Sequence, residues 1–77
     1  MNILIINGPN LNLLGERDQE IYGDNTLDEL MMWLETSPEG SNHNFKFYQS
    51  NHEGVIIDSI HDERQWAQGM IINAGAL

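Results

Sequence analysis

The sequence predicts an α/β domain built on a parallel sheet. Three apolar or β-rich runs, Asn2 to Ile6, Phe45 to Gln49 and Gly69 to Asn73, alternate with two stretches of helical periodicity. Each run is followed by polar turn residues rather than by a tight hairpin turn. Strands that alternate with helices imply right-handed β-α-β units and parallel pairing. With 77 residues the chain is one small domain or part of one, 1–77, with no internal repeat, low-complexity segment or linker. A chain this short buries only about 60% of the surface its unfolded form exposes, so its core is small.

The elements follow in order. Ile3-Leu4-Ile5-Ile6 is a continuous apolar run, as expected of a strand covered on both faces. A long loop leaves it, reading NGPNLNLLGERDQEIYG from Asn7 to Gly23. Gly8-Pro9-Asn10 is turn chemistry, each residue for its own backbone reason. Leu11, Leu13, Leu14 and Ile21 give this loop apolar surface that a disordered segment lacks. Loops of this length without regular structure are commonly lids or binding loops. Residues 8–24 are therefore read as a lid that packs down and carries Arg17 and Tyr22 with it. Taken singly, that Arg and Tyr fit ordinary surface positions on a connector better.

Thr26-Leu27-Asp28-Glu29 is a capping box that opens the first helix. Leu27, Leu30, Met31 and Leu34 form one apolar stripe along it. Asp28 and Glu29 sit where the helix dipole favours acids. Ser37-Pro38-Glu39-Gly40 ends it. Phe45 to Gln49 mixes aromatic and polar side chains with strong β-formers and reads as the second strand. After the connection Ser50 to Gly54, Val55, Ile56, Ile60 and Glu63 to Trp66 continue as a second helix with Asp58, Asp62 and Arg64 outward. Gly69 to Asn73 is the third strand.

Composition narrows the function. Twelve acids against three bases give a net charge of −9. That balance disfavours nucleic acid and anionic membrane as partners. It also leaves little in this chain to attract an anionic substrate. There is no cysteine, hence no disulfide framework, thiol nucleophile or zinc-cysteine site. The apolar start is too short for a signal peptide, and no run approaches twenty apolar residues. A cytoplasmic location is the expectation.

Parallel sheets bind ligands beyond the carboxyl ends of their strands, where strand order reverses. Three polar segments lie there: Asn7 to Asn10, Ser50 to Glu53, and Asn73 to Gly75. One Asn directly after an apolar strand is a turn former. Two, Asn7 and Asn73, on strands expected to be neighbours, point to a polar crevice.

NGPNLNLLGER, EIYG, TLDEL, YQSNHEG and IINAGA together closely resemble the amino-terminal half of the type II dehydroquinases, the type II 3-dehydroquinate dehydratases. The resemblance covers essentially the whole chain. The first loop and the IINAGA strand end are specific signatures, not generic β-α patterns. The resemblance implies a flavodoxin-like fold, of which this chain would carry the first β-α-β-α-β half. Family members run on past the position of Leu77 through a Thr-His-Thr-Ser segment. Gln19 stands where many members have Pro before the IYG segment, a departure that removes no chemistry.

The activity so implied is elimination of water from 3-dehydroquinate, through an enolate, to give 3-dehydroshikimate. That reaction belongs to the shikimate pathway of aromatic amino-acid biosynthesis. By residue-to-residue resemblance, Tyr22 is the base that removes a proton next to the ketone. A phenol with an ordinary pKa near ~10 is mostly protonated at neutral pH, and a neighbouring cation favours the phenolate. Arg17 matches the family Arg that supplies that cation. Asn10 matches the Asn that holds a water against the developing enolate oxygen, stabilising charge as it forms. Asn73 matches a substrate-binding Asn, and Gly75 and Ala76 begin the loop that contributes backbone contacts. The acid that protonates the departing hydroxyl is a His of the other half. The resemblance also implies a small-molecule substrate, no cofactor and no metal, and a homo-oligomer, a dodecamer, for full-length members. The chain by itself is expected to be inactive or weakly active.

His52 reads as a turn cap rather than a ligand contact, His43 as a solvated turn residue, and His61 as a helix-boundary residue. The three have no metal-ligand spacing. Lys46 lies within the second strand, away from the loops, which argues against a Schiff-base mechanism. The competing function is a flavodoxin-like module that binds an anion or a flavin without catalysis. Its first loop would need Ser, Thr or Gly to cradle a phosphate, where this loop offers Leu and Asn.

Overall fold

The computed structural model describes residues 1–13 and 26–75. Three strands, β1 (Asn2–Asn7), β2 (Asn44–Gln49) and β3 (Gly69–Asn73), form one sheet in the order β2-β1-β3. Both pairings are parallel, with Ile5 opposite Phe47 on one side and Ile71 on the other. Helix α1 (Leu27–Thr36) joins β1 to β2, and helix α2 (Glu53–Glu63) joins β2 to β3. The strand boundaries fall within one residue of those read from the sequence. This is the flavodoxin-like β-α-β-α-β arrangement.

Side chains alternate across a strand, so Leu4 and Ile6 face one side of the sheet and Ile3, Ile5 and Asn7 the other. Leu4, Ile5 and Ile6 are all buried, so β1 is covered on both faces. The Leu4 and Ile6 side packs against Ile56 of α2, with Ile60 and Ala67 completing the cluster. On the other side Phe45 and Phe47 stack at 5.7 Å, and Met31 of α1 reaches Asn7. The two helices therefore lie on opposite faces.

Helix α1 begins as its capping box requires. The Thr26 hydroxyl oxygen accepts from the Glu29 amide at 3.2 Å, and the hydroxyl donates to Glu29 Oε1 at 3.1 Å. The helix stops at Ser37, whose amide donates to Trp33 O and whose hydroxyl donates to Leu34 O. The expected stripe is only half covered: Leu27, Met31 and Leu34 are partly buried and Leu30 is at the exposed limit.

Helix α2 departs from the sequence reading at both ends. It stops at Glu63, and Arg64 to Trp66 form a turn held by the Trp66 and Ala67 amides on Glu63 O. That turn lets Trp66 fold back so that Lys46 Nζ sits 4.5 Å from its ring centre, while Lys46 also pairs with Glu63 at 2.8 Å. At the other end His52 occupies the N-cap position, but its side chain makes no capping bond. The Ser50 hydroxyl instead accepts from the His52 amide at 3.0 Å. His43 is exposed, edge-on to Phe45, and His61 lies in the last turn of α2.

Candidate active site

Strand order runs outward from β1 in both directions, so the reversal lies at the carboxyl end of β1. There Asn7 stands in register with Gln49 of β2 and Asn73 of β3. All three side chains share the α1 face by the alternation rule. The two Asn residues expected to border a polar crevice therefore stand side by side on adjacent strands. Asn7 is buried, at 3% exposure, and among the described residues its side-chain amide reaches the Met31 sulfur, at 3.6 Å. Asn73 is exposed. Its carbonyl accepts from the Gly8 amide at 2.8 Å, which carries the β1–β3 ladder one step past the strands.

Two glycines let the loops above these strands touch. A Cβ on Gly8 would lie 2.1 Å from Ala74 O, closer than any real contact. Gly75 has φ of +59°, a left-handed backbone natural to glycine, and a Cβ there would lie 2.7 Å from Pro9 O. The Gly8-Pro9-Asn10 turn and the Ala74-Gly75 turn are thus in direct backbone contact.

Asn10 is the other left-handed residue among those described, with φ of +68°. Asn tolerates this region better than other side-chain-bearing residues. Its amide donates to Asn51 Oδ1 at 2.9 Å, and its carbonyl accepts from Leu13 at 3.0 Å, closing a short 3₁₀ turn over Leu11–Leu13. The Gln49 amide donates across the gap to Gly8 O at 3.2 Å, Asn51 Oδ1 at 3.2 Å and Asn12 Oδ1 at 3.4 Å. Asn10 is exposed above this network.

Of the residues read from the sequence, Asn10, Asn73 and Gly75 lie at the carboxyl ends of β1 and β3, whose turns touch each other at one end of the sheet. Arg17, Tyr22 and Ala76 lie outside the described residues, as does most of the 8–24 segment. Lys46 is held by Glu63 on the α2 face, opposite the side that carries Asn7 and Asn73. Among the described residues no three His, Asp or Glu side chains gather as a metal ion would require. No described helix is long and apolar enough to cross a membrane. Sequence reasoning passed over Gln49 and Asn51 as individuals. Their place in YQSNHEG, directly after a strand, was the available signal.

Comparison with known proteins agrees with this geometry. The profile of the family Dehydroquinase class II matches residues 1–77. The 3-dehydroquinate dehydratase of Prochlorococcus marinus is 54% identical over 76 residues, covering 99% of this chain and 52% of that protein. That of Dinoroseobacter shibae is 49% identical, covering 99% of this chain and 51% of that protein. Among solved structures, the type II dehydroquinase of Butyrivibrio crossotus matches with a TM-score of 0.88 and 44% identity, over 99% of this chain and 53% of that one. The type II dehydroquinase of Propionibacterium acnes matches with a TM-score of 0.81 and 32% identity, over 94% of this chain and 50% of that one. The chain spans about half the length of these relatives, and it belongs to the class II dehydroquinase family.

Proposed function

We propose that this chain supplies the amino-terminal half of a 3-dehydroquinate dehydratase, a hydro-lyase of the shikimate pathway acting in the cytoplasm. Family membership over the whole chain supports this reading, and the observation that carries it is the convergence of Asn10, Asn73 and Gly75 at the strand-order reversal. In the proposed reaction the Tyr22 phenolate takes a proton from the carbon next to the substrate ketone. The electron pair moves onto the ketone oxygen as an enolate. Asn10 stabilises that oxygen through a held water. Collapse of the enolate expels the hydroxyl, which leaves as water after protonation by an acid from the other half of the fold. Arg17 favours the phenolate form of Tyr22. Asn73, Gly75 and Ala76 bind substrate, and residues 8–24 close over it as a lid. The chemistry needs no cofactor, and full-length members assemble as homo-oligomers, dodecamers on this reading.

The test uses this chain joined to the second half of the Prochlorococcus marinus relative, assayed with 3-dehydroquinate. Tyr22→Phe is expected to lower kcat by at least about a hundredfold with little change in substrate affinity, because the phenolate acts in the transition state. Near-normal turnover in Tyr22→Phe would remove Tyr22 as the base.

A further inference from the structure

We propose that Asn51, oriented by Gln49, is a positioning residue that fixes the backbone of Asn10. The proposal rests on the reading of Asn10 given above for its catalytic consequence, but not for its structural content. Asn10 is the described non-glycine residue with a positive φ, a conformation of sparse population that persists only when its surroundings hold it. The tie from outside its own turn is the 2.9 Å bond from its amide to Asn51 Oδ1, across 41 residues of sequence. The other partner, Leu13, belongs to the same short turn.

Asn51 is exposed and would swing freely without a second contact. Gln49 provides it. Its side-chain amide donates to the same Oδ1 at 3.2 Å and to Gly8 O at 3.2 Å. Both Asn51 contacts come from N–H donors, so the amide oxygen, not the nitrogen, must face them. This settles the orientation of the Asn51 amide by its network. The order of dependence is thus Gly8 carbonyl, Gln49 amide, Asn51 oxygen, Asn10 amide. Gln49 stands in register with Asn7 at the reversal point, so the anchor is a strand end and not a loop.

The needed chemistry at position 51 is one acceptor oxygen. Asn51→Asp keeps it, while Asn51→Ala and Asn51→Leu remove it. Two measurements separate positioning from catalysis. Hydrogen exchange at the Asn10 amide is read on the 77-residue chain and on the completed protein described above. Losing one hydrogen bond is expected to speed exchange by up to about tenfold in Asn51→Ala, with wild-type protection in Asn51→Asp. Turnover of the completed protein is expected to fall by about tenfold in kcat, at unchanged KM, in Asn51→Ala, because a misplaced Asn10 loses an interaction made in the transition state. Asn51→Asp restores it. In an Asn10→Ala background, Asn51→Ala is expected to add no further loss.

Unchanged Asn10 exchange in Asn51→Ala overturns the proposal. So does an Asn51→Ala loss that adds in full to that of Asn10→Ala. A wild-type completed protein without dehydratase activity overturns the functional reading instead, and the exchange measurement still decides the positioning.

Discussion

Gly8 and Ala74 meet backbone to backbone, at a distance that leaves no room for a Cβ: one on Gly8 would sit 2.1 Å from Ala74 O. This contact joins the turns after β1 and β3 and sets how far the Asn10 turn stands from the Asn73 end. Gly8→Ala is expected to force the turns apart, at a cost of about 1–3 kcal/mol, as for other overpacking changes. The urea midpoint should fall with an unchanged slope. An unchanged midpoint would mean the two turns separate without penalty.

The doubly covered first strand and the pairing of Asn7 with Asn73 were legible in the sequence for physical reasons. β1 is apolar at every position from Ile3 to Ile6, which only burial on both faces explains, and the strand is so buried. Asn7 and Asn73 each follow such a run, and parallel register places them side by side. The end of α2 was not legible, because Glu63 to Trp66 continues the helical pattern. What ends the helix is tertiary: Trp66 turns back to Lys46, and Lys46 to Glu63. The Gln49–Asn51 network was hidden for a similar reason. Polar residues in a turn look alike until their partners 41 residues away are known. His52 misled because its position suits a cap, yet its side chain makes no capping bond.

Arg17 is expected to act on the pH dependence of turnover. If its cation favours the Tyr22 phenolate, Arg17→Ala raises the apparent pKa of the base. The base works deprotonated, so activity then appears only at higher pH. The acid limb of the kcat/KM profile of the completed protein should therefore move upward. A lower rate with unmoved limbs would assign Arg17 to holding the lid.

The Thr26 cap makes a prediction about folding alone. Its hydroxyl oxygen is the partner of the Glu29 amide, and its hydroxyl proton goes to the Glu29 carboxylate. Thr26→Ala should cost about 1 kcal/mol and speed exchange at the Glu29 amide. Thr26→Asp keeps an acceptor oxygen and a favourable charge at the helix start, and should keep most of the stability. Equal loss in both variants would show that the cap is not what starts α1.

The outer edge of β3 governs how the 77-residue chain behaves in isolation. On its inner side β3 pairs with β1, and its outer side has no strand partner among the described residues. Met70, Ile71 and Ile72 are 47%, 52% and 48% exposed, so both faces of the strand show apolar surface. An unpaired apolar edge is a template for pairing with another chain. The buried cluster beneath α2 consists of Leu4, Ile6 and Ile56, too few side chains to give the isolated chain much margin. The net charge of −9 opposes association, but at physiological salt it acts only over about 8 Å. The isolated chain is therefore expected to associate through β3 at micromolar concentration and not to form the dodecamer proposed for full-length members. Sedimentation velocity should show mass rising with concentration, and Ile71→Lys should suppress the rise by placing a charge on the edge. A monodisperse wild-type monomer, with a sharp near-ultraviolet dichroic signal from Trp66, would show instead that this half of the fold stands alone.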